Sequence, residues 1–407
     1  MAIKTINTEC CISGGGPAGI MLGYLLARAG IETTVLEKWP DFFRDFRGDT
    51  IHPSVMEILN ELGLLQDFLK LPHDKLKQVE AEFGKDKVKI GDFSHLKVNC
   101  PFIAMIPQWD FLNFITRNAS KYPKFHLLME TEAIDIIKEG QKIVGVKAKN
   151  KEWDFEIRSK LVVAADGRYS TIRDKNGLVP EATSAPMDVL WFRLLKSNSD
   201  ASSIMGKFDM GRIMIMIDRG SYWQCGFLIR KGQFENIKGE GLEQFHKNIG
   251  EFVPNFAERI KEIKDWEQVK LLTVTVDHLA KWYSPGLLCI GDSAHAMSPI
   301  GGVGINLAIQ DAVAAANILV PTFSKGNILE SDLKKIQSRR ELPVKIIQFV
   351  QVFMQNHLVD HILGNNVRPK LPLPLKILKR FPYFSRIPGY MVGIGYRAEH
   401  VKTAEVK

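Results

Sequence analysis

Cysteine is scarce in this 407-residue chain, and what there is does not suggest metal. The five cysteines stand at 10, 11, 100, 225 and 289 with no CxxC spacing, so no metal site is expected. An odd count, with three of the five inside apolar strand-like runs, reads as reduced cytoplasmic thiols rather than a disulfide framework. Met1 to Asn7 lacks the apolar stretch of a secretory signal. No run of about 18 apolar residues is present, so no transmembrane segment is expected. Repeats and low-complexity tracts are absent. No basic and aromatic stretch resembles an RNA-binding module, so nucleic acid is not an expected partner. The net charge of +8 suits a solvated basic surface, or anionic cofactors and substrates. No Ser-His-Asp constellation stands out. With 45% hydrophobic and 25% charged residues the composition is that of a globular protein, long enough for two to three domains.

Glycine, by contrast, marks three places. Gly14-Gly15-Gly16-Pro17-Ala18-Gly19 joins the apolar Cys10-Cys11-Ile12 to a helix-like stretch ended by Gly30. In such a turn Gly14 makes the bend, Gly16 lets backbone approach a phosphate, and Gly19 lets the helix pack on the strand. Backbone N–H groups and the helix dipole then face a pyrophosphate. Glu37, followed by Lys38, ends the next apolar strand (33–36), where a carboxylate can accept hydrogen bonds from ribose hydroxyls. A glycine turn with an exposed strand-end acid is the plainer alternative. Only one such fingerprint occurs, so a separate nicotinamide-binding Rossmann domain is not indicated.

The second place is Asp166-Gly167, after the apolar run 160–165 and before Ser170 and Arg173. Alone it reads as an Asp-Gly turn. The third is Gly291-Asp292, leading through His295, Pro299 and Gly302 to Gly304-Ile305-Asn306 at the start of a long helix. Physically this is a second anion-receiving helix start, and Asp292 could cap the loop or bind a hydroxyl.

In this order and spacing, the three segments resemble the flavoprotein aromatic hydroxylases, single-component FAD monooxygenases similar to p-hydroxybenzoate hydroxylase. The pattern DG-x-x-S-x-x-R is met by Asp166, Gly167, Ser170 and Arg173. The pattern GD-x-x-H-x-x-x-P-x-x-G-x-G-x-N is met by Gly291, Asp292, His295, Pro299, Gly302, Gly304 and Asn306. The resemblance covers roughly residues 8 to 320. It implies that Asp292 binds the ribityl chain and that Gly304, Ile305 and Asn306 lie against the pyrimidine edge of the flavin. Arg47 would reach the FAD phosphates and Gln108 the flavin chain. The reaction implied is reduction of FAD by NAD(P)H, then formation with dioxygen of a flavin C4a-hydroperoxide that oxygenates an aromatic, quinone-like or polyketide-like small molecule. A reductase or dehydrogenase of the same superfamily, or a non-catalytic flavin protein, are the alternatives; the WxWxIP motif of flavin halogenases and the YxWxFP pattern of prenyl reductases are absent.

The expected fold is α/β. A Rossmann-like FAD-binding domain (1–71, 106–179, 276–330) is interrupted by strands at 72–105 and by a mostly antiparallel β-sheet substrate domain at 180–275. A helical C-terminal segment, 331–407, follows. His52, before Pro53, could be a proton acceptor or only the residue that starts a helix. Trp191, Arg193, Tyr222 and Trp223 lie on predicted strands of the substrate sheet; two of the four are expected at the pocket and sheet packing accounts for the rest. Residues 368–386 hold six basic and no acidic residues with interleaved aromatics. They read either as a weak peripheral membrane contact or as a packed cap with a basic edge.

Overall fold

The computed structural model describes residues 4–43, 49–183, 185–197, 200, 206–364 and 369–406. Its central element is a sheet in which five strands run parallel, in the order Leu287–Cys289, Asp154–Ala164, Lys4–Ser13, Thr33–Leu36 and Phe125–Leu128. The antiparallel strands Glu132–Glu139 and Lys142–Lys149 extend it from the first half of Asp154–Ala164. Both faces are covered. Cys10, Ile12, Leu161, Val163 and Leu288 pack under the helices Pro17–Arg28 and Gly304–Phe323. Cys11, Val162, Ala164 and Cys289 pack with Val344 and Ile347 of the long helix Glu330–Met354. Burial on both sides is why these strands read as unbroken apolar runs. All five cysteines are buried and unpaired, and burial pushes the Cys11 thiol up to about 12.

The first strand begins at Lys4, six residues before the apolar Cys10-Cys11-Ile12, because Lys4 to Thr8 pair with Phe155 to Ser159. Pairing, not hydropathy, extends it. Among the described residues one helical stretch, Ile300–Phe323, is long and apolar enough by composition to cross a membrane. It is a core element here, with 78% of its most apolar window buried.

A second sheet contains, in spatial order, Lys270–Leu272, Met187–Leu195, Tyr222–Arg230, Arg212–Asp218, Gly206–Asp209, Gln78–Phe83 and Asp86–Asp92. Its pairings are antiparallel except that between Gly206–Asp209 and Gln78–Phe83. One face packs on the helix Leu242–Phe252 through Phe192, Cys225 and Phe245. The other face carries Val189, Trp191 and Ile215, and Ile300 packs against the same apolar cluster.

The C-terminal segment is helical only as far as Gly393. Residues 396–406 run without helix or strand over the nucleotide-binding domain. Their backbone is taken up elsewhere: Val401 N–H donates to Glu61, Lys402 N–H to Asn317, Val406 N–H to the Arg28 carbonyl, and Arg28 donates to Thr403 O. Those partners replace the intrahelical bonds that the expected helix would have made.

Candidate active site

Four neighbouring parallel strands end at one edge of the sheet, and each end carries one of the marked segments. Ser13 leads to Gly14, Leu36 to Glu37, Ala164 to Asp166 and Cys289 to Gly291. Such an edge is where doubly wound sheets receive ligands.

At the first, Gly14 has φ +106°, and a Cβ there would lie 2.4 Å from Ala165 O. A Cβ on Gly19 would lie 1.9 Å from Gly14 O. On Gly16 it would meet no protein atom within 4 Å. Gly16 is the N-cap, Pro17 opens the helix, Ala18 is buried, and neither a side-chain cap nor an acid satisfies the first turn. Those N–H groups are left for an anion. Glu37 is buried; its Oε2 accepts from Gly15 N–H at 3.1 Å and its Oε1 from Trp39 N–H at 3.1 Å. Lys38 is exposed and lies over the Trp39 ring.

At the second, Asp166 binds the Ser170 hydroxyl and accepts from Ile172 N–H at 3.3 Å. Burial raises its carboxyl above the usual carboxylate range, against the pull of these donors. Ser170 caps the short helix Thr171–Lys175 by accepting from Arg173 N–H at 3.1 Å. Arg173 is buried and donates to Ser293 O of the third segment at 3.4 Å. Replacing Ser170 by alanine is expected to cost about 1 kcal/mol, read as a lower urea midpoint, because a cap and a carboxylate partner go together.

At the third, Asp292 is partly exposed between buried Gly291 and Ser293, and Arg168 stands 3.6 Å away. Beneath it, Asp311 accepts from Gly291 N–H at 3.1 Å, His295 at 2.6 Å and Arg340 at 2.9 Å. Burial would raise the Asp311 carboxyl, but the His295 and Arg340 charges hold it below the ordinary range. Pro299 opens a turn in which Gly301 and Gly302 both adopt positive φ, +82° and +62°. Thr50 Oγ1 donates to Gly302 O at 2.7 Å. The Asn306 side chain is spent within the protein: Oδ1 accepts from His52 N–H at 2.8 Å and Nδ2 donates to Thr50 O at 3.2 Å. What remains for a ligand is the uncapped backbone of Gly304, Ile305 and Asn306, and a Cβ on Gly304 would meet no protein atom.

His52 is the N-cap of the helix Pro53–Glu61 and is fully buried, with Nδ1 2.8 Å from Val392 O. Burial lowers its pKa to about 4. An imidazole that stays neutral to that point is a weak proton acceptor near neutrality. The unfolded imidazole titrates near about 6.5. Stability is therefore expected to fall as pH drops from about 6.5 toward 4 and to lose no more from this group below that. The denaturation midpoint of His52→Asn should be flatter across that window than the wild type's.

On the second sheet, Trp191 lies over Gly226, and the Arg193 guanidinium sits 5.1 Å from the Tyr222 ring centroid. Register places Trp191, Arg193 and Tyr222 on one face. Trp223 is on the other: it packs against Phe256 and donates from Nε1 to Asp200 at 2.7 Å. Adjacent residues of one strand cannot share a face, so of the four candidates Trp223 belongs to sheet packing and the other three share the opposite face. Arg47 lies outside the described residues. Gln108 starts the helix Gln108–Ala119, and its N–H reaches Asp49.

Sequence reading missed Thr50 and the buried ion pair of Asp49 with Arg219, which also donates to Gln224 at 3.2 Å. No sequence signal joins residues 170 apart. The pair pins the strand Thr50–Ile51, which holds the glycine turn, to the second sheet. Burial pushes the Asp49 carboxyl up, opposed by Arg219.

A family model described as FAD binding domain matches residues 7–345. The 6-methylpretetramide 4-monooxygenase of Streptomyces rimosus is 29% identical over 392 residues, 93% of this chain and 92% of that protein. The para-nitrophenol 4-monooxygenase of a Pseudomonas species is 22% identical over 337 residues, 77% of this chain and 78% of that protein. Among solved structures, the anhydrotetracycline hydroxylase from Streptomyces rimosus superposes with a TM-score of 0.76 at 20% identity, over 97% of this chain and 77% of that one.

Proposed function

The chain belongs to the FAD-binding-domain family, and from that premise we propose that it is an NAD(P)H-dependent FAD monooxygenase that hydroxylates an aromatic, quinone-like or polyketide-like small molecule. The observation that carries this is the convergence of Gly14–Gly19, Glu37, Asp166 and Gly291–Asn306 on one sheet edge. Relatives named as acting on a pretetramide and a nitrophenol support the substrate class.

The residues present fit FAD. Two uncapped helix starts face open space, at Gly16 and at Gly304, and Asp292 is left partly exposed between them. The first would take the pyrophosphate. Glu37 would take the adenosine ribose, and Asp292 and Gln108 the ribityl chain. The backbone of Gly304, Ile305 and Asn306 would meet the pyrimidine edge. When bound, FAD supplies hydride acceptance from NAD(P)H and activation of dioxygen. The helix start at Gly304 would stabilise negative charge on that edge. Pro299 and Gly302 would shape the wall that excludes water. The second sheet is then the substrate domain, with Trp191, Arg193 and Tyr222 on the side that takes the ring. An apolar wall with a few cationic donors suits an electron-rich phenol or enolised ring.

The purified protein is expected to show bound flavin bands near about 370 and 450 nm, bleached by NADH or NADPH without air. Flavin that stays oxidised under nicotinamide would overturn the proposal.

A further inference from the structure

One stretch of the chain presents apolar side chains that nothing in the described structure covers. Buried Leu371, just before the helix Leu373–Arg380, and half-buried Leu375 and Leu378 on it pack toward the second sheet. On its opposite side Leu373 and Ile377 form a stripe continued by Phe381, at the i, i+4, i+8 spacing of one helix face. Past the helix end, Phe381 meets Phe384, and Phe384 meets Tyr383. Tyr383, Ile387 and Tyr390 line one shallow apolar groove. Leu373, Ile377, Phe381, Tyr383, Ile387 and Tyr390 are between 43% and 70% exposed. Monomer surfaces scatter such residues singly and do not gather six of them.

Charge says what would cover this face. Residues 369–393 contain Lys370, Lys376, Lys379, Arg380 and Arg386 and no acidic residue. Lys379 reaches Asp86, and Arg386 lies over the Tyr383 ring and donates to His95. Lys376 and Arg380 are exposed along one flank of the apolar stripe. Lysines interleaved with an apolar face are depleted at the cores of protein–protein interfaces. They are the usual flank of an amphipathic helix lying in the headgroup region of a bilayer, where Tyr rings also collect. We propose that residues 373–390 form a docking face for an anionic lipid surface, with Leu373, Ile377 and Phe381 entering the boundary of headgroups and acyl chains. The packed-cap alternative holds for Leu371, Leu375 and Leu378 alone. The segment that follows, through Val392, contacts His52, so the face is joined to the site by one short helix, Arg386–Gly393.

The test is sedimentation of the flavin-bound full-length protein with phosphatidylcholine vesicles, with and without about one-third phosphatidylglycerol. Binding is expected only to the anionic vesicles and should weaken in high salt. Lys376→Glu with Arg380→Glu should reduce it by roughly tenfold or more. Leu373→Ser, Ile377→Ser and Phe381→Ser together should abolish it. Both variants should keep the wild-type circular dichroism and NAD(P)H oxidation, since these side chains touch neither cofactor nor core. Wild-type protein left in the supernatant with anionic vesicles would overturn the proposal, as would undiminished binding by either variant. A wild-type dimer that the serine variant dissolves, with no vesicle binding, would assign the face to a second copy instead.

Discussion

Alanine at position 19 is expected to give a protein that is both less stable and free of flavin. The added Cβ would sit 1.9 Å from the Gly14 carbonyl oxygen, which is backbone and cannot rotate away. Either the helix Pro17–Arg28 lifts from its strand or the turn opens. Overpacking of this kind costs about 1–3 kcal/mol, and a backbone obstacle places this case at the upper end. Gly16→Ala is the informative partner. Its Cβ would meet no protein atom, so the cofactor-free protein should unfold at the wild-type urea concentration. FAD affinity should nevertheless fall on the order of tenfold or more, because that space is where the pyrophosphate approaches backbone. Equal FAD affinity in Gly16→Ala and wild type would place the pyrophosphate elsewhere.

Replacing Arg340 by methionine is expected to destabilise the protein by about 3–5 kcal/mol, the range for removing one partner from a buried ionic group. Arg340 is fully buried, between Asp311 and Glu399 at 2.9 and 3.4 Å. Without it Asp311 keeps only His295 as a charged partner, and Glu399 keeps Arg339. The loss should be visible in urea unfolding and in flavin occupancy, because Asp311 also receives the Gly291 N–H. The sign with pH follows from Asp311. Its folded pKa lies below the ordinary value, so its contribution is full above about pH 3.9 and lost as pH falls through the folded pKa. The gap between wild type and Arg340→Met should therefore be constant near neutrality and narrow only at the acid extreme. A change below about 1 kcal/mol would mean that the cluster is solvated, contrary to its burial.

The parts of this molecule that were legible in its sequence are those where local pattern and tertiary role coincide. The runs at Cys10–Ile12, 160–164 and 287–289 are apolar because helices cover both sheet faces; the turn after the first needs glycine because the Ala165 backbone passes within contact distance of Gly14, and those after the others because Gly167 and Gly291 take positive φ, +85° and +62°. Lys4 to Asn7 extend the first strand without an apolar signal, since only their pairing with Phe155 to Arg158 holds them. Trp223 illustrates a register limit: composition marks it as a pocket residue, and the parity of the strand sends it to the other face. Asp49 with Arg219, and Asp311 with Arg340 and Glu399, were illegible because each is a meeting of distant segments. The tail 396–406 is not helical, and no local pattern says so, because its partners are the side chains of Arg28, Glu61 and Asn317 on distant elements.

A monooxygenase leaves one atom of dioxygen in its product, and isotopic labelling follows that atom. The flavin-bound protein, NADPH or NADH and an electron-rich phenol or polyketide-like ring should be turned over under isotopically heavy dioxygen, with the product weighed by mass spectrometry. A hydroxylated product carrying one heavy oxygen atom is expected, formed in step with nicotinamide consumption. A substrate that is reduced or dehydrogenated with no heavy oxygen incorporated would contradict it and make the protein a reductase or dehydrogenase built on the same cradle.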